Sequence, residues 1–140
     1  MIYTVTLNPS IDYVVQVSSF DLGTINRAEK DMKFPGGKGI NVSRVLQRLG
    51  VKNIALGFTG GFTGQFIKEV LQTEGVTTNF VQVDEDTRIN VKIKGEEETE
   101  LNGQGPIVTK EQFEQLMKKI ESMQPGDCVV LAGSVPVSIP

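Results

Sequence analysis

Histidine and tryptophan are absent from this sequence, and cysteine occurs once. Without histidine, neither a Ser-His nor a Cys-His nucleophile can be assembled, and a zinc site becomes improbable. A single cysteine forms no internal disulfide. Cys128 falls in the apolar run DCVVLAG and reads as a packed thiol in a buried strand rather than a nucleophile. Basic residues are not in excess: 14 Lys and Arg face 17 Asp and Glu, a net charge of -3. Bulk attraction to nucleic acid or to an anionic membrane is therefore not expected, and any phosphate must be held by a local basic group. No apolar run approaches membrane-spanning length. The start, MIYTVTLNPS, lacks the basic flank and long apolar core of a signal peptide. A reducing cytoplasm is the expected location, with neither nucleic acid nor membrane as partner.

What is present is enough for one modest domain: 140 residues, 39% of them hydrophobic and 22% charged. Ile2 to Leu7 is rich in β-branched residues and ends at the turn NPS, which predicts a strand. Ile11 to Val17 alternates, with Ile11, Tyr13, Val15 and Val17 on one face. Asp31 to Phe34 is a candidate short strand. Gly39 to Leu49 is predicted helical, with Ile40, Val42, Val45, Leu46 and Leu49 as its apolar stripe and Gly50 as its stop. Asn53 to Phe58 reads as a buried strand. GFTGGFTG (57–64) reads as a loop leading to a helix over Gln65 to Glu74, and Phe80 to Val83 as a short strand. Arg88 to Lys94 alternates cleanly, and Gly95 turns it into Glu97 to Leu101 as a hairpin. Thr109 and Gln112 form a capping box for a helix running to about Met123. Cys128 to Ala132 closes the series. Strands alternating with amphipathic helices predict an α/β fold with a mainly parallel sheet. The alternating segments 11–17 and 88–101 do not fit that crossover pattern and predict a separate small sheet.

The stretch PGGKGINVS (35–43) carries the chemistry. It is not a phosphate loop of the G-x-x-x-x-G-K-[ST] kind, because Gly39 follows Lys38. It is not a dinucleotide fingerprint either, because Val42 stands where the third glycine belongs. Two readings remain: a plain helix-entry loop, or a loop for a small polar ligand. Glycine lets backbone approach a ligand closely, and a helix start offers free N–H groups to anions or hydroxyls. Asn41 can both donate and accept.

PGGKGINVSRVLQRLG (35–50) resembles the first signature of the ribokinase-like sugar kinases, the PfkB family. TLNPSID, TRINVK and LAGSVP are similar to motifs of the members that act on sugar phosphates, with fructose 1-phosphate first and tagatose 6-phosphate second. The resemblance spans essentially the whole chain but only the N-terminal half of such a kinase. It implies a ribokinase-like α/β fold whose small β sheet is a lid, with strands near 11–18, 31–34 and 87–101. By that resemblance Asp12 binds sugar hydroxyls, Gly36, Gly37 and Asn41 form the hydroxyl-binding loop, and Lys38 lies near a phosphoryl group. Arg88 grips the substrate's existing phosphate, which suits a forked, charged donor. Asn90 stands beside it, Ser134 follows the last strand, and Arg27 corresponds to a basic position that reaches a partner's site. Lys92 and Lys94 fit a solvent-facing stripe as well as a ligand site.

The resemblance further implies ATP and Mg2+ as cofactors of the complete enzyme, with none expected for this chain alone, and a homodimer formed through the lid strands. The family's catalytic aspartate opens a helix in the second half. The only Gly-Asp pair here, Gly126-Asp127, precedes a strand, so no catalytic residue and no metal ligand is assigned. A non-catalytic module that binds a sugar phosphate is the alternative of a different class. A nucleoside kinase is disfavoured, because a base wants stacking aromatics and the chain has two Tyr and no Trp.

Overall fold

The computed structural model describes residues 1–140. Its larger sheet is built around β1 (Ile2–Thr6), which pairs in parallel with β4 (Asn53–Gly60) on one side and β9 (Cys128–Leu131) on the other. β4 in turn carries β5 (Thr77–Thr78) and, further along, β6 (Val81–Val83), both parallel. Helices α1 (Lys38–Arg48) and α2 (Gly61–Thr73) cover one face, where Ile40, Ala55, Ile67, Leu71 and Val76 pack together. Helix α3 (Lys110–Glu121) covers the other, with Leu116 against Val5, Leu56, Phe58, Val81 and Val83. Period-two alternation on β1 and β4 sends side chains to both cores, as expected of a strand buried on both faces. Thr109 and Gln112 cap α3 reciprocally, so the predicted capping box is present.

The second sheet has the order β3 (Lys30–Gly36), β2 (Ser10–Gln16), β7 (Arg88–Lys94), β8 (Glu98–Asn102). β2 runs antiparallel to β3 and parallel to β7, and β7–β8 is a hairpin. The register sets Ser10 beside Arg88 and Asp12 beside Asn90, so these four side chains share one face. Tyr13 and Val15, beside Val91 and Ile93, share the other. Only Leu7, Asn8 and Pro9 separate β1 from β2, so the two sheets are joined at this short turn.

Three expectations need correction, and one short strand was not expected. GFTGGFTG is not a loop: β4 continues through Gly60, and α2 begins at Gly61, whose φ of 63° turns the chain at once. Cys128 is exposed rather than packed. Its strand lies at the edge of the larger sheet with β1 as its one neighbour, and Val129 and Leu131 are exposed too. The stripe on α1 is only partly inward, because Val45 and Leu49 face outward and the buried positions are Gly39, Ile40 and Ser43. Ser43 is held there by Thr4, hydroxyl to hydroxyl at 2.6 Å. The short strand β5 carried no sequence signal.

Candidate functional site

Where the two sheets meet, at the carboxyl ends of β1 and β9, lies a cavity of about 400 Å³ with thirteen lining residues, none hydrophobic. This is the crevice that an open parallel sheet offers a ligand. Thr6 and Asn8 enter it from the end of β1, and Gly37, Lys38 and Asn41 from the start of α1. The second sheet contributes Ser10, Asp12, Arg88, Asn90, Lys92 and Asn102, and the segment after β9 gives Gly133 and Ser134.

Asp12 is the one carboxylate in this lining. Its side chain is nearly buried, accepts a hydrogen bond from the Ser10 hydroxyl at 2.8 Å, and has the Lys92 ammonium 3.7 Å away. Lys92 is shared with Glu100 at 4.0 Å. Gly36 backs this carboxylate so closely that a β-carbon there would stand 2.5 Å from Oδ1.

Arg88 is half-buried, and burial pulls its guanidinium below its ordinary value, an effect that the Asp12 carboxylate opposes. Its Nε donates to the Asn8 main-chain carbonyl at 3.2 Å, Nη1 to that of Gly103 at 3.1 Å, and Nη2 to the Ser134 hydroxyl at 3.3 Å. None of these acceptors is charged. A half-desolvated cation held by neutral acceptors is a site waiting for an anion.

Helix α1 opens on Gly37 without a side-chain cap, and its first recorded bond runs from Asn41 N–H to the Gly37 carbonyl. The N–H groups of the first turn have no carbonyl a turn before them. The glycines also answer to packing. Gly37, at φ 116°, would put a β-carbon 2.6 Å from Thr6 Cγ2, and one on Gly39 would strike Thr6 Oγ1. Without side chains at both positions, the helix start reaches the end of β1. Thr6 Oγ1 and Asn8 Oδ1 are buried and have no hydrogen-bond partner. Both belong to residues of the cavity wall.

Of the residues expected at the site, Asp12, Gly37, Lys38, Asn41, Arg88, Asn90 and Ser134 line this one cavity. Gly36 does not line it and acts through its contact with Asp12. Lys92 lines it and Lys94 does not, and Arg27 sits outside on an exposed loop. Thr6, Asn8, Ser10, Asn102 and Gly133 were not singled out. For the first three a signal existed, since polar residues run together just where an apolar strand ends. For Asn102 and Gly133 there was none.

The wall offers no stacking surface to the base of a nucleotide, because no aromatic or other hydrophobic side chain lines it. The chain has no group of three or more His, Cys, Asp or Glu that could hold a metal ion by protein ligands alone. Its donors and its single carboxylate suit a small, hydroxyl-rich anion.

Comparison with known proteins agrees with this chemistry. Residues 5–140 match the model of the pfkB family carbohydrate kinases. The chain is 57% identical over its whole length to a 1-phosphofructokinase of Bacillus subtilis, spanning 46% of that protein. It is 39% identical to a D-tagatose-1-phosphate kinase of Bacillus licheniformis, again across the whole chain and 46% of the relative. Among solved structures, phosphofructokinase-2 of Escherichia coli in complex with fructose-6-phosphate superposes with a TM-score of 0.92 at 30% identity. That match covers 99% of this chain and 47% of the other. The chain thus spans about half the length of the proteins it matches, and its fold is ribokinase-like.

Proposed function

The chain belongs to the pfkB family of carbohydrate kinases, and from that premise we propose that it is the sugar-phosphate-binding half of a kinase for fructose 1-phosphate. The complete enzyme would transfer the terminal phosphoryl group of ATP to that sugar, giving fructose 1,6-bisphosphate. The observation that carries the reading is the cavity without a hydrophobic residue, in which a half-desolvated Arg88 and the Asp12 carboxylate stand together. Arg88 pairs with the existing phosphate, and Ser134 yields to it or joins it. Asp12 accepts from sugar hydroxyls. The N–H groups at the start of α1 and the Asn41 amide hold further ring oxygens, and Lys38 offsets the anionic charge of the site. Relatives named 1-phosphofructokinase are more similar to the chain than those named for tagatose 1-phosphate or tagatose 6-phosphate, which supports fructose 1-phosphate.

These residues bind and orient. No residue here is assigned to the nucleotide, the metal or the base that takes the hydroxyl proton. The second sheet acts as a lid, carrying Asp12 and Arg88 onto the sugar and excluding water from it. Its outer face is apolar, with Tyr13, Val15, Val17, Phe20, Val91 and Ile93 around one groove. A second copy of the chain covers that face, giving a homodimer through the lids.

Calorimetric titration with fructose 1-phosphate, tagatose 6-phosphate and ATP, beside a melting curve, tests the reading. Binding of fructose 1-phosphate without binding of ATP, by a chain that melts cooperatively, is the expected result. A cooperatively melting chain that ignores every sugar phosphate would refute it.

A further inference from the structure

We propose that Asn8 is a positioning residue for Arg88, acting through residues 103–105 as a strap. The proposal takes from the sugar-phosphate reading what Arg88 grips, but the geometry behind it holds without any ligand.

Asn8 stands in the turn that joins the two sheets and is 5% exposed. It meets Arg88 once directly and once through the strap. Its main-chain carbonyl accepts from Arg88 Nε at 3.2 Å. Its side-chain Nδ2 donates to the Gln104 carbonyl at 3.1 Å. The neighbouring Gly103 carbonyl takes Arg88 Nη1, while Gly103 N–H donates to Asn90 Oδ1 at 3.1 Å. Asn8 from the turn and Asn90 from β7 thus pin the two peptide units of the strap that flank the one whose carbonyl takes Arg88 Nη1. The strap is cut to fit. A β-carbon on Gly103 would be 3.1 Å from Arg88 Cβ and 3.0 Å from the Ile89 carbonyl. Gly105, at φ 95°, packs against Asn8 Oδ1 so closely that any side chain would collide with it.

The amide of Asn8 is poorly explained by packing alone. Its Oδ1 is buried and has no hydrogen-bond partner. A leucine has the same branched shape and would leave no oxygen unpaired. What leucine lacks is the donor to Gln104. With Nε and one N–H of Nη1 fixed on carbonyls, the remaining N–H groups keep a single orientation, and a phosphate meets a fork already aimed.

The test uses Asn8→Leu, which keeps the branched shape and removes the donor, with the smaller Asn8→Ala as a second variant in case the first does not fold. The ligand-free arm follows exchange of the Arg88 Nε proton with water by nitrogen-15 NMR, assigned with Arg88→Lys. Slow exchange in the wild-type chain and exchange at least about tenfold faster in the variant is expected. The binding arm is a double-mutant cycle with fructose 1-phosphate. Asn8→Leu should weaken binding about tenfold in the wild-type background and by no more than about twofold beside Arg88→Ala. Unchanged exchange at Arg88, or an equal loss in both backgrounds, overturns the proposal. If the wild-type chain binds no sugar phosphate, the kinase reading fails on that result, while the exchange arm still decides the role of Asn8.

Discussion

Replacing Gly36 by alanine should damage the site while leaving the fold nearly untouched. Gly36 ends β3 in an extended conformation that alanine adopts without strain, so the backbone has no reason to move. The new methyl would stand 2.5 to 2.6 Å from three atoms of the Asp12 carboxyl group. A carbon–oxygen contact needs roughly 3.3 Å, so the carboxylate must retreat by roughly 0.8 Å. That shift lengthens its 2.8 Å bond from Ser10 and moves it away from the hydroxyls it is proposed to hold. A lost hydrogen bond to a charged group is worth about 1.5–3 kcal/mol, or about 10- to 150-fold in affinity. The clash falls on the end of a side chain that can turn aside, so stability should drop by about 1 kcal/mol or less, a few degrees in melting temperature. The assay is calorimetric titration with fructose 1-phosphate beside thermal melting, with Asp12→Ala as reference. Gly36→Ala should reproduce most of the Asp12→Ala loss and add little to it in the double variant. A Gly36→Ala chain that melts like wild type and binds as tightly would show that Asp12 does not hold the sugar. A chain that no longer folds would show that Gly36 serves the fold.

Arg88→Ala should close the affinity gap between fructose 1-phosphate and fructose, a loss of about 2–5 kcal/mol on the phosphorylated ligand alone, and equal losses on both sugars would refute its assignment to the phosphate. Arg44 binds Glu74 through two hydrogen bonds, at 2.8 and 2.7 Å, and holds that carboxyl below its usual range. Its stabilisation is complete above the ordinary carboxylate range and is lost as pH falls through the lowered folded-state value. Glu74→Gln should therefore lower stability by about 1 kcal/mol at neutral pH, with the gap closing in acid, as read from melting curves across pH. Thr109→Ala removes one half of the capping box on α3 and should cost about 1 kcal/mol in a denaturant titration. Val91→Glu on the outer face of the lid should turn the proposed dimer into a monomer in analytical ultracentrifugation while leaving sugar-phosphate affinity within about twofold.

The parts of this fold that follow local rules were legible in the sequence. Arg88–Lys94 alternates with period two and is a strand over just those residues. The capping box at Thr109 starts α3 where it was expected. The glycine stretch 36–39, Asp12 and Arg88 pointed to the candidate cavity chiefly through the motifs that resemble a known family. What was hidden depended on partners distant in the chain. DCVVLAG reads as a buried strand by composition, yet β9 is an edge, and exposure there is decided by which strands lie beside it. The second glycine pair, Gly60 and Gly61, read as a loop because nothing local shows that the Glu85 and Val83 carbonyls and Asp86 crowd it. Asn102 and Gly103 belong to the site only because β8 returns along β7 and sets them beside Asn90.

The division of the cavity between two sheets says how such a site discriminates. Thr6, Lys38, Asn41 and Ser134 belong to the larger sheet and its helix, while Asp12, Arg88 and Asn90 belong to the smaller one. The Arg88–Ser134 bond crosses between them and, at 3.3 Å, is the longest of the three that hold the guanidinium. A phosphate that takes the place of Ser134 exchanges a weak neutral bond for a charged one and draws on donors already fixed by two carbonyls. With no hydrophobic residue in its wall, the cavity rests its selectivity on matched polar groups. A sugar without the phosphate would cover Arg88 and leave a desolvated cation unpaired, which is worse than leaving it open to water. Such a site selects its ligand chiefly by what a wrong ligand leaves unsatisfied, as polar pockets do when they reject an analogue that lacks one group.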